Sequence, residues 1–147
     1  MAFWANAREP IPVNRFIALS WNPLWILILV FFTIFIGLRH EIGGDWVAYS
    51  AYYDDMYGMT FSEGMSLTSD PGFLLLNWLS SKGNLGMAAV NLFCGFIFSL
   101  GLVLLCRSLS RPLIALLASF PYMIVVVAMG YTRQGVALGF AMIAIVY

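Results

Sequence analysis

MAAVNLFCGFIFSLGLVLLC, residues 87–106, decides the fold. It carries no charge along its whole length, and about 20 mainly apolar residues are what an α-helix needs to cross a bilayer. Three more stretches lack charge: residues 24–38, 113–129 and 136–147. The stretch 113–129 narrowly reaches spanning length. The stretch 24–38 reaches it if the helix begins near Trp21, which would put Trp21 and Trp25 in the interfacial aromatic belt. The last stretch offers only about 18 Å of rise before the chain ends, at about 1.5 Å per residue. Composition agrees: 62% of residues are hydrophobic and 10% charged, against about 45–50% and about 25% in soluble domains. The expectation is an all-α, multi-pass membrane protein with three full spans and an incomplete fourth, the front portion of a longer membrane protein.

Net charge is zero, from seven basic and seven acidic side chains, so neither a nucleic-acid surface nor an acidic tail is indicated. Cys94 and Cys106 lie about 18 Å apart on one helix, beyond disulfide reach, and read as packing residues. Arg8 and Arg15 precede the first apolar run, but no small-residue cleavage pattern follows it. That run is expected to stay as an anchor behind a tail of residues 1–23.

Residues 39–86 differ in character, holding Glu41, Asp45, Asp54, Asp55, Glu63 and Asp70. Trp46, Tyr49, Tyr53 and Tyr57 recur at helical spacing, an aromatic stripe suited to a membrane surface. Asp45 is placed as the N-cap of that helix. Asp70-Pro71 opens a second short helix through Phe73 to Leu79, with Lys82 and Gly83 as stop signals. With three crossings, the tail shares one side with the loop 107–112, and the acidic segment shares the other with the turn 130–135. Arginine density at Arg107 and Arg111 favours a cytoplasmic tail and an external acidic segment.

Arg133, in Gly130-Tyr-Thr-Arg-Gln-Gly135, is the most informative residue. It reads either as a boundary arginine snorkelling to lipid phosphate, or as an anion site with Thr132 and Gln134 at a helix start. Arg39 carries the same two readings and faces the same compartment by parity. A carboxylate near paired arginines suits glycosyl transfer from a diphosphate-linked donor: the acid takes the acceptor proton and the arginines stabilise the departing diphosphate. Asp45 and Asp70 are the candidate acids, each also readable as a helix cap. Asp54-Asp55 could ligate a divalent metal, although a solvated helix face explains them as well, and no cofactor is expected. His40 reads as an interfacial side chain. Gly135 with Gly139, and Asn91 with Gly95 and Ser99, read as close-packing positions, and Pro121 predicts a kink.

Three segments resemble the EpsG family of exopolysaccharide polymerases, related to the Wzy O-antigen polymerases. Arg39-His-Glu-Ile-Gly43-Gly44-Asp45-Trp46-Val-Ala-Tyr49 resembles the family's R-x-x-x-G-x-D-x-x-x-Y signature. Asp70-Pro71-Gly72-Phe73 resembles its acidic-Pro-x-Phe segment, where the family more often has Glu. Gly130-Tyr131-Thr132-Arg133-Gln134-Gly135 resembles its Arg-Gln motif. The resemblance covers about Phe31 to the end, where the family continues through further helices. It implies a repeat-unit polymerase acting on polyprenyl-diphosphate-linked oligosaccharide at the outer face of the bacterial cytoplasmic membrane. Partners would be that lipid-linked glycan, membrane lipid and other polysaccharide-assembly proteins. Arg39, Arg133 and Gln134 would bind diphosphate, Asp45 or Asp70 would act as base, and Tyr49 and Trp46 would meet sugar. The rival readings are a polyprenyl-phosphate sugar transferase, a transporter or flippase component for lipid-linked oligosaccharide, and a non-catalytic scaffold.

Overall fold

The computed structural model describes residues 22–56, 58–66 and 70–147. The expectations for the tail, Trp21 and Tyr57 lie outside the described residues. Among those described, the chain is helical throughout, with no strand. Helix α1 is Pro23–Gly37, α2 Trp46–Asp55, α3 Phe61–Met65, α4 Pro71–Lys82, α5 Gly86–Ser108, α6 Pro112–Ser119 and α7 Thr132–Val146. Between α6 and α7, Phe120–Ala128 winds as a π-helical segment.

Local chemistry sets these boundaries. The Asn22 side chain accepts from the Leu24 amide and Pro23 occupies the first turn, so α1 starts there. Gly83 ends α4 as expected. α5 runs two residues past Cys106, so Arg107 lies within the helix, buried and over the Trp25 ring at 6.0 Å. Pro121 has no amide hydrogen to give the preceding turn, and the chain around it takes π winding, where the sequence predicts a kink. Helix α3 was not anticipated, although Thr60 and Glu63 form a complete capping box.

The all-α expectation is met, whereas the expectation of several spans is not. Among the described helices, α5 alone is long and apolar enough to cross a bilayer. α1 and α7 have 15 residues each, about 22 Å of rise against about 30 Å of hydrocarbon.

α5 is the central helix, contacted by α1 and α7 on different faces. α1 runs antiparallel to it: Trp25 lies near Arg107, while Gly37 meets Leu92. A Cβ on Gly37 would stand 2.6 Å from the Leu92 Cα, and one on Gly95 would stand 3.3 Å from the Thr33 carbonyl. α7 runs parallel to α5, with Gly139 against the Ile97 carbonyl at 2.8 Å from a built Cβ, and Gly101 against the Gly139 backbone. Gly139 therefore serves close packing as expected. Its partner in that contact is Gly101, because Gly135 meets only ordinary contacts from Ala128. Phe32, Ile36, Phe98, Leu102, Cys106, Ile124, Ala128 and Met142 join these helices in one core.

Candidate functional site

At one end of the bundle the helical winding breaks at Tyr131, whose backbone is extended, and the segment after α1 packs against that break. Gly43 makes this possible. Its φ is +110°, and a Cβ there would lie 2.8 Å from the carbonyl oxygens of both Met129 and Gly130. Arg39, only 7% exposed, follows the chain inward. Its Nη1 donates to the Ala128 carbonyl at 2.7 Å, and its Nη2 donates to the Thr132 hydroxyl. The carbonyl end of a helix favours a cation, so Arg39 caps the π-helical segment and ties it to the first residue of α7. Burial pushes the Arg39 guanidinium down from its ordinary range, with Asp45 among the groups opposing that shift.

Arg133 follows Thr132 and lies in a different environment. Its guanidinium stands over Phe73 at 4.7 Å, Tyr49 at 5.4 Å and Tyr52 at 5.7 Å, a three-ring face at cation–π range. The rings contact one another, Tyr49 to Phe73 at 5.2 Å and Tyr52 to Phe73 at 6.1 Å. Asp70 Oδ2 lies 3.2 Å from Arg133 Nη1, with the two side chains 53% and 37% exposed. The α2 stripe is thus turned partly inward: Tyr49 is buried and faces Arg133, where a membrane-surface role was expected.

Asp45 and Asp70 both occupy N-cap positions, yet neither side chain makes a capping hydrogen bond. Asp45 Oδ2 instead accepts from the Tyr49 hydroxyl at 3.2 Å, and Asp70 reaches Arg133. Burial and the neighbouring Asp45 carboxylate push the Tyr49 hydroxyl up, so it stays protonated and keeps donating. Trp46 packs near His40, ring centroids 5.3 Å apart, and Gln134 is exposed in the first turn of α7. Asp54 and Asp55 are exposed at the end of α2. Among the described residues, no group of three or more His, Cys, Asp or Glu side chains could hold a metal.

The structure brings Arg39, Asp45, Tyr49, Asp70 and Arg133 to one end of the fold, joining segments about 90 residues apart through the Arg39 contacts. Sequence reasoning gave no role to Phe73 or Tyr52, although Tyr52 shares a helix face with Tyr49 at a spacing of three. Thr132 was noted beside Arg133, but nothing in the sequence marked it as the partner of Arg39. Chemically, the cluster offers a half-exposed cation on an aromatic bed with two carboxylates nearby.

No curated protein and no solved structure shows a significant match to this chain. A sequence profile described as the EpsG family matches residues 22–147, extending the resemblance to the start of α1. The three motifs that carry it are the segments packed around the break before α7, and the chain belongs to the EpsG family.

Proposed function

We propose that this chain acts as a repeat-unit polymerase of exopolysaccharide type, moving a polyprenyl-diphosphate-linked glycan onto a hydroxyl of another lipid-linked repeat unit. In that reaction a carboxylate takes the proton of the acceptor hydroxyl, whose oxygen bonds the anomeric carbon. The bond from that carbon to the diphosphate breaks, and polyprenyl diphosphate leaves carrying the electron pair. Arg133 stabilises the departing charge. Asp45 is the first candidate base and Asp70 the second, with Tyr49 and Trp46 toward sugar and Gln134 beside the diphosphate. Arg39 acts from behind, holding the start of α7 that presents Arg133.

The observation that carries this reading is the state of Arg133: half-exposed, seated on three rings and opposed by one accessible carboxylate. An exposed ion pair is worth only about 0–1 kcal/mol, so Arg133 gives up little in turning to a diphosphate of higher charge. Family membership supports the reaction class. On this reading the site lies at the outer face of the bacterial cytoplasmic membrane, with a cytoplasmic N-terminus and several crossings. Other polysaccharide-assembly proteins would supply and remove the glycan.

Arg133→Ala, in the protein expressed in its own host, is expected to abolish polymer while membrane insertion stays intact. Unchanged polymer length and yield would refute the role of Arg133.

A further inference from the structure

The first turn of α4 meets the Arg133 guanidinium twice. Asp70, at the N-cap, accepts from Nη1 at 3.2 Å, and the guanidinium carbon stands over the Phe73 ring, 4.7 Å from its centroid. Residues three apart share a helix face. Pro71 and the bond from the Leu74 amide to the Asp70 carbonyl fix that turn, so the two contacts come as a unit. Of the three rings at Arg133, Phe73 is the nearest and the central one, since Tyr49 and Tyr52 each contact it. Phe73 has no polar atom, so its ring is all it offers, whereas the Tyr49 hydroxyl is engaged by Asp45. A ring attracts a cation through the negative potential of its face. A carboxylate instead takes an N–H at the guanidinium edge. Both contacts are present at once here, so they do not compete.

We propose that Phe73 is a positioning residue for Arg133, holding the guanidinium over its ring while the edge turns from Asp70 to a diphosphate. Asp70 and the diphosphate compete for the same N–H donors, and the ring competes with neither. Asp70 is then the exchangeable half of the grip and Phe73 the constant half. Arginine is a long, rotamer-rich side chain, and ordering it only on binding weakens affinity. A ring that holds it beforehand removes that loss. The exchange of anions rests on the reading of Arg133 as the diphosphate ligand; the seat on Phe73 does not.

The test uses the whole protein in lipid nanodiscs. Replacing Phe73 in turn by mono-, di- and trifluorinated phenylalanine changes the ring's size little and drains the potential of its face. The Kd for inorganic diphosphate should rise with each fluorine, about two- to fivefold in total. Tight diphosphate binding that is indifferent to fluorination would overturn the proposal, because packing alone predicts that result. Proton NMR with labelled arginine reads the seat without any anion. The Arg133 side-chain protons, assigned by their loss in Arg133→Lys, should be shifted upfield by ring current and remain so with diphosphate bound. In Phe73→Leu they should move toward ordinary positions. No upfield shift in the wild type, one that disappears with diphosphate, or one unchanged in Phe73→Leu would also overturn it. The wild-type spectra require no variant to fold. If the shifts behave as expected while wild type binds no diphosphate, the seat on Phe73 stands and the reading of Arg133 fails.

Discussion

The two arginines of the site differ in what their loss would do. Arg39 is buried and donates to a backbone carbonyl and to Thr132, and hydrogen bonds from a charged donor contribute about 1.5–3 kcal/mol each. Arg39→Ala should therefore destabilise the fold by roughly 2–4 kcal/mol, read as a lower midpoint in detergent unfolding, and should also abolish activity. Arg133 is half-exposed, so Arg133→Ala should leave that midpoint nearly unchanged while removing activity. Equal losses of stability in the two variants would contradict the division of roles. At this scale the sequence was informative about identity and weak about partners. Arg39 and Arg133 stood out because charges are scarce among apolar runs. That Arg39 would meet Thr132 and the Ala128 carbonyl was hidden, because those partners lie 93 and 89 residues away. The two aspartates were readable as caps or as acids, and only their positions fit the first reading. Asp70 turns to a guanidinium 63 residues away, which no local rule shows, whereas Asp45 turns to a tyrosine hydroxyl four residues on along α2.

Among the elements, the contact between α5 and α7 depends on the absence of side chains at Gly101 and Gly139. Gly101→Leu should force the helices apart and cost about 1–3 kcal/mol by overpacking. Disulfide trapping between cysteines introduced on α5 and α7 should slow accordingly; an unchanged trapping rate would argue against this contact. Helix α3 gives a prediction in pH. Hydrogen bonds from the Thr60 amide and hydroxyl hold the Glu63 carboxyl below its ordinary value of 4.5. A depressed folded value means that the stabilisation is complete above 4.5 and fades as pH falls through the lower folded value. Amide exchange across Phe61–Met65 should accelerate only in that acid window, and Glu63→Gln should remove the dependence. The T-x-x-E spacing made this helix legible; it passed unread because the flanking residues lack a long apolar period. The π winding at Phe120–Ala128 was only half legible: Pro121 marks the place, but the packing that selects π over a sharp bend is tertiary.

Across the whole molecule, α5 separates the acidic segment from the loop after Ser108, so its crossing can be read from either end. Cys94 and Cys106 are buried and serve as unreactive internal controls. Ser66→Cys should react with an impermeant maleimide on intact cells, and Ser110→Cys only after permeabilisation. Labelling of both from one side would remove α5 as a span. Helical class and family were legible from long apolar runs and three short motifs. Span lengths were less so, because absence of charge marks where a helix is allowed and caps decide where it begins. The staple formed by Arg39 has a consequence in time. Its two partners are made after it, the later one 93 residues on, and at about 5–20 residues per second that delay is roughly 5–20 s. During synthesis the arginine follows the first helix before either of its partners at the break exists. The site closes only when the start of α7 arrives beside α1, so it is assembled late in the life of each new chain.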